Sequence, residues 1–342
     1  MVHPVPPGEV RPGRHPADPQ LGRHAVRAPG VGPEAWTVLF DLGGVVLTWE
    51  PARAYEQVLP AEQVGHFMAT IGFEDWNRAH DSGRRYVESE AELVARHPEH
   101  AEVILAYRRH FSHTLGTVPG TGAVMAELQQ AGVGLNALTN WSAETFPVAR
   151  DRFGLLGRFG GILVSGAELL AKPDPAIFSL ALQRFGLTPE RTVFVDDSLP
   201  NIEAARTLGL TGLAFTGADR LRADLVDLGL LEPRQPVGRP VLHLTERTWW
   251  QQAQAEGHYP WSSRRATYEA EGFVHASFAE QTTGTRQRYY GDLPDDELVV
   301  LELDPDQLSV PVVVEDLGAG PYPHLYGPLP VAEVVAARPY AS

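Results

Sequence analysis

The chain has 342 residues, more than twice the roughly 100–150 of a typical single domain, so two domains are the opening expectation. Hydrophobic residues at 43% and charged residues at 21% fit a globular protein and exclude a wholly disordered or fibrous one. A formal net charge of −15 repels phosphate backbones and anionic lipid over the molecule as a whole, which disfavours general nucleic-acid or membrane binding but admits a small anionic substrate held by a metal or one fixed cation.

Zero cysteines exclude disulfides, thiolate nucleophiles and thiolate-bound metals. No apolar run reaches the roughly 18 residues that a membrane helix requires, so a cytoplasmic protein is expected. Lysine occurs once, at Lys172; every other basic residue is Arg. That lysine is expected where a compact ammonium is needed and a planar guanidinium will not serve.

Residues 1–33 are rich in Pro, Gly and Arg without apolar periodicity and read as a disordered tail. A first domain is expected over 34–232. It opens on a buried-type strand, Trp36 to Phe40, that runs into Asp41-Leu42-Gly43-Gly44. Residues 52–115 carry helical patterning, as in Ala91 to Arg96 and Val103 to Tyr107, and read as an inserted helical unit. Strands and helices then alternate: helix 123–130, strands 134–138 and 161–164, helix 175–185, strand 192–195, helix 201–208, strand 211–215. Such alternation predicts βαβ units and a parallel sheet of the α/β class, with ligand beyond the carboxyl ends of the strands. A Pro-bearing stretch at 233–240 reads as a linker. Residues 241–342 then open with a strand at 241–244 and a helix at 248–256, and turn richer in strands (298–303, 310–314), as in a compact α+β domain.

Each strand of the first domain ends in polar residues: Asp41, Thr139-Asn140, Lys172, and Asp196-Asp197. A parallel sheet brings all four to one edge. Carboxylates, one lysine and a hydroxyl are what phosphoryl transfer requires: a nucleophile, ligands for a metal that neutralises phosphate oxygens, a fixed cation and a hydrogen-bond donor. Phe-Asp-Leu-Gly-Gly-Val-Val, Leu-Thr-Asn-Trp-Ser, Lys-Pro-Asp-Pro and Val-Asp-Asp-Ser-Leu-Pro-Asn, in that order, resemble the four motifs of the haloacid dehalogenase-like (HAD) hydrolase superfamily over about residues 36–231. The resemblance implies a Rossmann-like parallel sheet with a helical cap inserted after the first motif. It implies that Asp41 is a nucleophile forming an aspartyl-phosphate and also a Mg²⁺ ligand. Thr139, with Asn140 beside it, would bind phosphate, and Lys172 would hold nucleophile and phosphate together. Asp197 would bind Mg²⁺ directly, Asp196 would be a ligand or a partner of one, and Asn201 would steady the loop. Trp49, Trp76 and Asn77 are expected to line the entrance and help choose the substrate.

One position departs from the family pattern. Family phosphatases carry a second Asp two residues after the nucleophile, which protonates the leaving oxygen and later activates water. Here that residue is Gly43, whose backbone carbonyl can still bind Mg²⁺. Three explanations stay open: a good leaving group such as an anomeric or acyl phosphate, an acid supplied by the cap or the substrate, or a site that has lost turnover. The expected function is a Mg²⁺-dependent phosphatase acting on a small phosphorylated metabolite, with sugar and nucleotide phosphates as candidates. The alternatives are a regulatory nucleotide-binding protein with a weakened site and a metal-independent 2-haloacid dehalogenase. Cleavage of a carbon–halogen bond needs no metal, so the Asp196-Asp197 pair favours phosphate.

The second domain holds His243, His258, His275 and His324. No close His pair is present, so a structural zinc site is not expected. Val-Leu-His-Leu-Thr, Gly-Phe-Val-His-Ala-Ser and His-Leu-Tyr-Gly-Pro-Leu resemble the elements of a small bacterial domain family of unassigned function that has been likened to ADP-ribosyltransferase folds. That resemblance implies NAD as a ligand, with His243 and His275 against the nucleotide, Ser277 and Arg286 near a phosphate, and His324 in the same candidate site. The other reading is that these histidines are satisfied core groups.

Overall fold

In a computed structural model that describes residues 35–341, the first element is a strand, and the tail expected at 1–33 lies outside the described residues. The strand is β1 (Thr37–Phe40), buried along its whole length. Its side chains alternate between two cores: Val38 and Phe40 enter one, Leu39 the other. That is the signature of a central strand covered on both faces. After Asp41 the chain turns tightly, with the amides of Val45, Val46 and Leu47 all donating to the Leu42 carbonyl.

The turn leads into β2 (Leu47–Trp49), and five helices follow: α1 (Ala52–Tyr55), α2 (Ala61–Ile71), α3 (Phe73–Asp81), α4 (Tyr86–Arg96) and α5 (Ala101–Arg109). Gly72, at φ +65, ends α2 and starts α3, a corner that an L side chain resists. The chain returns through β3 (Leu115–Thr117), which pairs antiparallel with β2. The helical insert therefore hangs on a two-stranded stem that the sequence did not reveal. Its interior is aromatic, with Tyr55, Phe67, Phe73 and Tyr107 in ring contact.

Beyond the insert come α6 (Thr121–Gln130), β4 (Gly134–Thr139), α7 (Phe146–Arg152), β5 (Ile162–Val164), α8 (Ser165–Glu168), α9 (Pro175–Phe185), β6 (Thr192–Asp196), α10 (Leu199–Thr207), β7 (Thr211–Ala214) and α11 (Ala218–Asp227). Asp174 caps α9 by accepting from the Ala176 amide, Pro175 fills its first position and Gly186 ends it at φ +64. The helix expected to start at 201 begins at Leu199, because Pro200 is tolerated in a first turn. The five strands form one parallel sheet in the order β5-β4-β1-β6-β7. The order reverses beside β1, and crevices at such switch points lie at the carboxyl edge.

Residues 232–240 carry no helix or strand. The C-terminal part is α+β, built of β8 (Val241–Glu246), α12 (Arg247–Glu256), β9 (Trp261–Ser263), β10 (Ala266–Thr267), α13 (Tyr268–Glu271), β11 (Val274–His275), α14 (Thr282–Tyr289), β12 (Leu298–Leu303), β13 (Val312–Asp316), β14 (Pro321–Leu325) and β15 (Ala336–Pro339). Two antiparallel sheets, β15-β12-β8 and β11-β14-β13, are joined by backbone bonds of 2.8 Å in both directions between Leu242 and Ser277. This part packs on the first: Ala123 and Ala126 of α6 meet Phe273, Val313 and Tyr326. Arg158 reaches Glu315 at 3.0 Å, and a Cβ on Gly154 would sit 2.0 Å from the Ala270 carbonyl. Among the described residues no helix is long and apolar enough to cross a membrane.

Candidate active site

Asp41 is the first residue past β1, and its amide donates to the Val195 carbonyl of β6 at 2.8 Å. Its Oδ1 accepts from the Leu42 amide at 2.7 Å and lies 2.9 Å from Lys172 Nζ. Lys172 also donates to Asp196 Oδ2 at 2.7 Å and to the Leu138 carbonyl at 3.0 Å. All three ammonium protons are thereby spent in a side chain with no exposed surface. A guanidinium fork fits neither the space nor that three-way geometry, which accounts for a lysine at this position. Asn140 clamps the Lys172 backbone from both sides, donating to its carbonyl at 2.9 Å and accepting from its amide at 2.8 Å.

Asp196 is saturated. Besides Lys172, its oxygens accept from the Ser198 amide at 2.8 Å and from Asn201 Nδ2 at 3.0 and 3.1 Å. Asp197, the next residue, is exposed. Asp41, Asp196 and Asp197 each bring a carboxylate oxygen within 4.8 Å of the others, with Lys172 bonded to two of them. Three carboxylates against one ammonium leave a deficit of positive charge, and an all-oxygen donor set suits a hard dication. Gly44 makes room: at φ +73, a Cβ there would lie 2.3 Å from Asp197 Oδ2. Gly43, by contrast, faces open space, with nothing within 4 Å of its would-be Cβ. Thr139 Oγ1 is buried at the end of β4 with no hydrogen-bond partner, a hydroxyl left for something the protein does not itself supply.

Burial pushes the Asp41 carboxyl up to about 7, against the downward pull of Lys172. Asp197 is raised as well, by partial burial and then by the charge of Asp196. For Lys172, burial works against the charge, but Asp41 and Asp196 more than offset it and hold the ammonium above its ordinary value.

Asp41, Gly43, Gly44 and Asp197 form one wall of a cavity of about 320 Å³, and the insert forms the other. Trp49 and Asn77 both line it, as expected from the sequence, and are linked through Tyr107: Trp49 Nε1 donates to the Tyr107 hydroxyl at 3.2 Å, which donates to Asn77 Oδ1 at 3.4 Å. Trp76 does not line it, a correction to the sequence reading. Its ring is buried among Phe73, His80, Tyr86 and Tyr107, because it projects about 100° around α3 from Asn77, into the aromatic interior of the insert. Sequence reasoning missed Asp81, Tyr86, Tyr107 and Phe111, all on the cavity wall. For Asp81 a signal existed: it lies four residues after Asn77, on the same helix face.

In the C-terminal part, His275 and His324 come together with ring centroids 5.1 Å apart, and His243 contacts His275 through its backbone. His243 Nδ1 donates to the His275 carbonyl at 2.6 Å, leaving Nε2 to meet the Tyr259 hydroxyl at 2.8 Å. Both ring nitrogens are thus engaged, and burial lowers its pKa to about 4. His324 stacks on Phe273 and bonds Glu315 at 2.9 Å, which also receives Arg158 and the Tyr326 hydroxyl. Ser277 Oγ pairs with Thr285 Oγ1 at 2.9 Å. Arg286 is consumed by Asp295 at 2.9 Å and by the carbonyls of Tyr290 and Leu293. The His243 ring and the Arg286 guanidinium are thus engaged in internal hydrogen bonds, and these contacts give NAD no support.

Residues 37–209, about half of the chain, match the family described as haloacid dehalogenase-like hydrolase, and the protein belongs to that family of hydrolases. Residues 244–337 match a second family, described as protein of unknown function (DUF952). Sesquiterpene phosphatase astK of Aspergillus oryzae is 27% identical over 184 residues, covering 52% of this chain and 88% of that protein. The phosphoserine phosphatase of Thermus thermophilus is 31% identical over 147 residues, 43% of this chain, and the match spans only about half of that protein (53%). Among solved structures, protein CC0527 of Caulobacter crescentus is 29% identical, covering 29% of this chain and 84% of that chain at a TM-score of 0.26.

Proposed function

We propose that the protein is a Mg²⁺-dependent phosphatase that cleaves a small phosphorylated metabolite through an aspartyl-phosphate on Asp41. The observation that carries this reading is Lys172 joined to both Asp41 and Asp196, beside the unpartnered Thr139 hydroxyl. In it, a carboxylate oxygen of Asp41 attacks phosphorus. Lys172 fixes the nucleophile and offsets its charge, and Thr139 donates to a phosphate oxygen. Asn140 acts one step back, by holding the Lys172 backbone. Asp41, Asp197 and the Gly43 carbonyl would hold Mg²⁺, which supplies the positive charge that lets a phosphate dianion approach these carboxylates. Asp196, with its oxygens already taken, acts by positioning Lys172 and Asn201.

The helical insert at about 52–115 serves in this reading as a cap, with Trp49 and Asn77 selecting substrate. The domains we propose are 34–232 and 241–342, joined by 233–240, and the absence of cysteine supports a cytoplasmic location. A cavity of about 320 Å³ lies at the low end of the roughly 300–1,000 Å³ of small-molecule sites, which supports a small metabolite. The two phosphatase relatives support the reaction class.

The test is phosphate release from a panel of aryl, sugar-1- and nucleotide phosphates, with and without Mg²⁺, for the intact chain and for Asp41→Asn. Release is expected to require both the metal and Asp41. Release that persists in Asp41→Asn, or chloride release from a 2-haloacid in EDTA, would count against the proposal.

A further inference from the structure

We propose that Asp81, on the helical insert, is the general acid and base missing at Gly43; the inference rests on the phosphatase reading above. Asp81 is the last residue of α3 and lines the same cavity as Asp41 and Asp197. Among the described residues, no ion pair or hydrogen bond engages its carboxylate. A negative charge at a helix C-terminus opposes the macrodipole, so this residue costs the helix stability and gains no partner in return. Its backbone is held in place. Ser165 Oγ, just past β5, donates to the Asp81 carbonyl at 2.6 Å while accepting from the Trp141 amide at 2.9 Å. A Cβ on Gly83 would lie 3.1 Å from the Gly166 carbonyl, and one on Gly166 would lie 3.0 Å from the His80 carbonyl. The end of α3 is thus where the insert presses on the carboxyl edge of the sheet, and Asp81 is fixed there on the wall of the cavity that Asp41 and Asp197 also line.

Its surroundings populate both the protonated and the ionised carboxyl at neutral pH, as a group that must give and then take a proton requires. Burial pushes Asp81 up to about 7, against the pull of Lys172 and Arg78. The neighbouring hydroxyls of Tyr86 and Tyr107 stay neutral, burial lowers His80 to about 4, and Asp41 and Asp197 share the cavity. In the first step an Asp41 oxygen bonds to phosphorus and the bond to the leaving oxygen breaks. The electron pair stays on that oxygen, which takes the Asp81 proton. In the second step the Asp81 carboxylate takes a proton from water as the water oxygen bonds to phosphorus. The bond to Asp41 breaks, its electron pair returns to the Asp41 carboxylate, and phosphate leaves with Asp81 protonated again.

The experiment is rapid-mixing kinetics of the full chain with Mg²⁺ on 4-nitrophenyl phosphate and on a primary alkyl phosphate, for the parent, Asp81→Asn, Asp41→Asn and the double variant Asp81→Asn/Gly43→Asp. Nitrophenolate leaves without a proton, so Asp81→Asn is expected to keep a burst of about one equivalent on the aryl ester. Its steady-state rate should then fall by the ~10²–10⁴-fold that acid–base catalysis supplies, and the alkyl ester should lose the burst too. Restored alkyl turnover in the double variant supports a replaceable acid, since Gly43 has open space for the new carboxyl. Alkyl turnover unchanged in Asp81→Asn overturns the proposal, as does a burst slowed equally on both esters. Asp41→Asn separates the two readings. If Asp41→Asn abolishes turnover of both esters while Asp81→Asn leaves alkyl turnover unchanged, the phosphatase stands without Asp81; if the parent shows no turnover of either ester, both fall.

Discussion

Lys172→Met tests how the site balances its charge. Met matches the length of the lysine stem but brings no charge, so Asp41 and Asp196 lose the ammonium held at 2.9 and 2.7 Å. Removing one partner of a buried ion pair costs about 3–5 kcal/mol, because the charge left behind stays desolvated. At about 2–4 °C per kcal/mol for a body of this size, the midpoint should fall by roughly 6–20 °C. Mg²⁺ is expected to raise the midpoint more in the variant than in the parent, since three carboxylates then lack any internal cation. The assay is thermal unfolding by circular dichroism at pH 8 in EDTA and in Mg²⁺, with phosphate release measured on the same samples. A variant that melts within about 2 °C of the parent in EDTA refutes the reasoning, because the pair would then add nothing beyond what a well-packed apolar side chain supplies.

Two further outcomes follow from the geometry. Gly44→Ala forces a Cβ to 2.3 Å from Asp197 Oδ2 at φ +73; it should lose about 1–3 kcal/mol of stability and bind Mg²⁺ measurably more weakly by calorimetry, whereas Gly43→Ala, with nothing within 4 Å, should lose less. Unchanged Mg²⁺ affinity in Gly44→Ala would remove Asp197 from the metal site. His243 has its pKa lowered to about 4 by burial, so the unfolded chain takes a proton below its ordinary 6.5 while the folded chain does not. Stability is therefore present above pH 6.5 and lost as pH falls toward 4, by about 2.5 kcal/mol at pH 4.5. In urea unfolding at pH 7 and 4.5, the loss should be smaller in His243→Gln than in the parent by about that amount; equal losses would mean that His243 is not a group responsible.

The parallel sheet was legible because its strands are short apolar runs with polar ends, as at Val38–Phe40 before Asp41 and Val193–Val195 before Asp196. Helix α9 was legible from its punctuation, Asp174-Pro175 in front and Gly186 behind. The β2–β3 stem was not. Each strand has three residues, the two are separated by the whole insert, and neither shows a period of two. The C-terminal histidines were visible but not interpretable. A strand-borne imidazole reads the same in sequence whether its nitrogens face a ligand or, as for His243, a carbonyl and a tyrosine.

The division within the active site has a topological cause. Asp41, Thr139 and Asp196 could be named because a parallel sheet gathers strand ends whatever else the chain does, and Lys172 because it is the only lysine. Residues from the insert could not, since the face of α3 left to the cavity is the one not packed against Tyr86 and Tyr107 inside the insert. Adjacent residues there have opposite fates, Trp76 in the core and Asn77 on the cavity wall. The same point gives Gly43 its meaning. An acid at that position would ride on the rigid turn after β1, whereas Asp81 rides on the insert and reaches the site only where Ser165 ties α3 to the sheet. Moving the proton donor in this way makes cleavage of poor leaving groups depend on the insert being seated. Good leaving groups, which need no proton, escape that requirement in the first step alone, because hydrolysis of the aspartyl-phosphate still calls on Asp81 as the base.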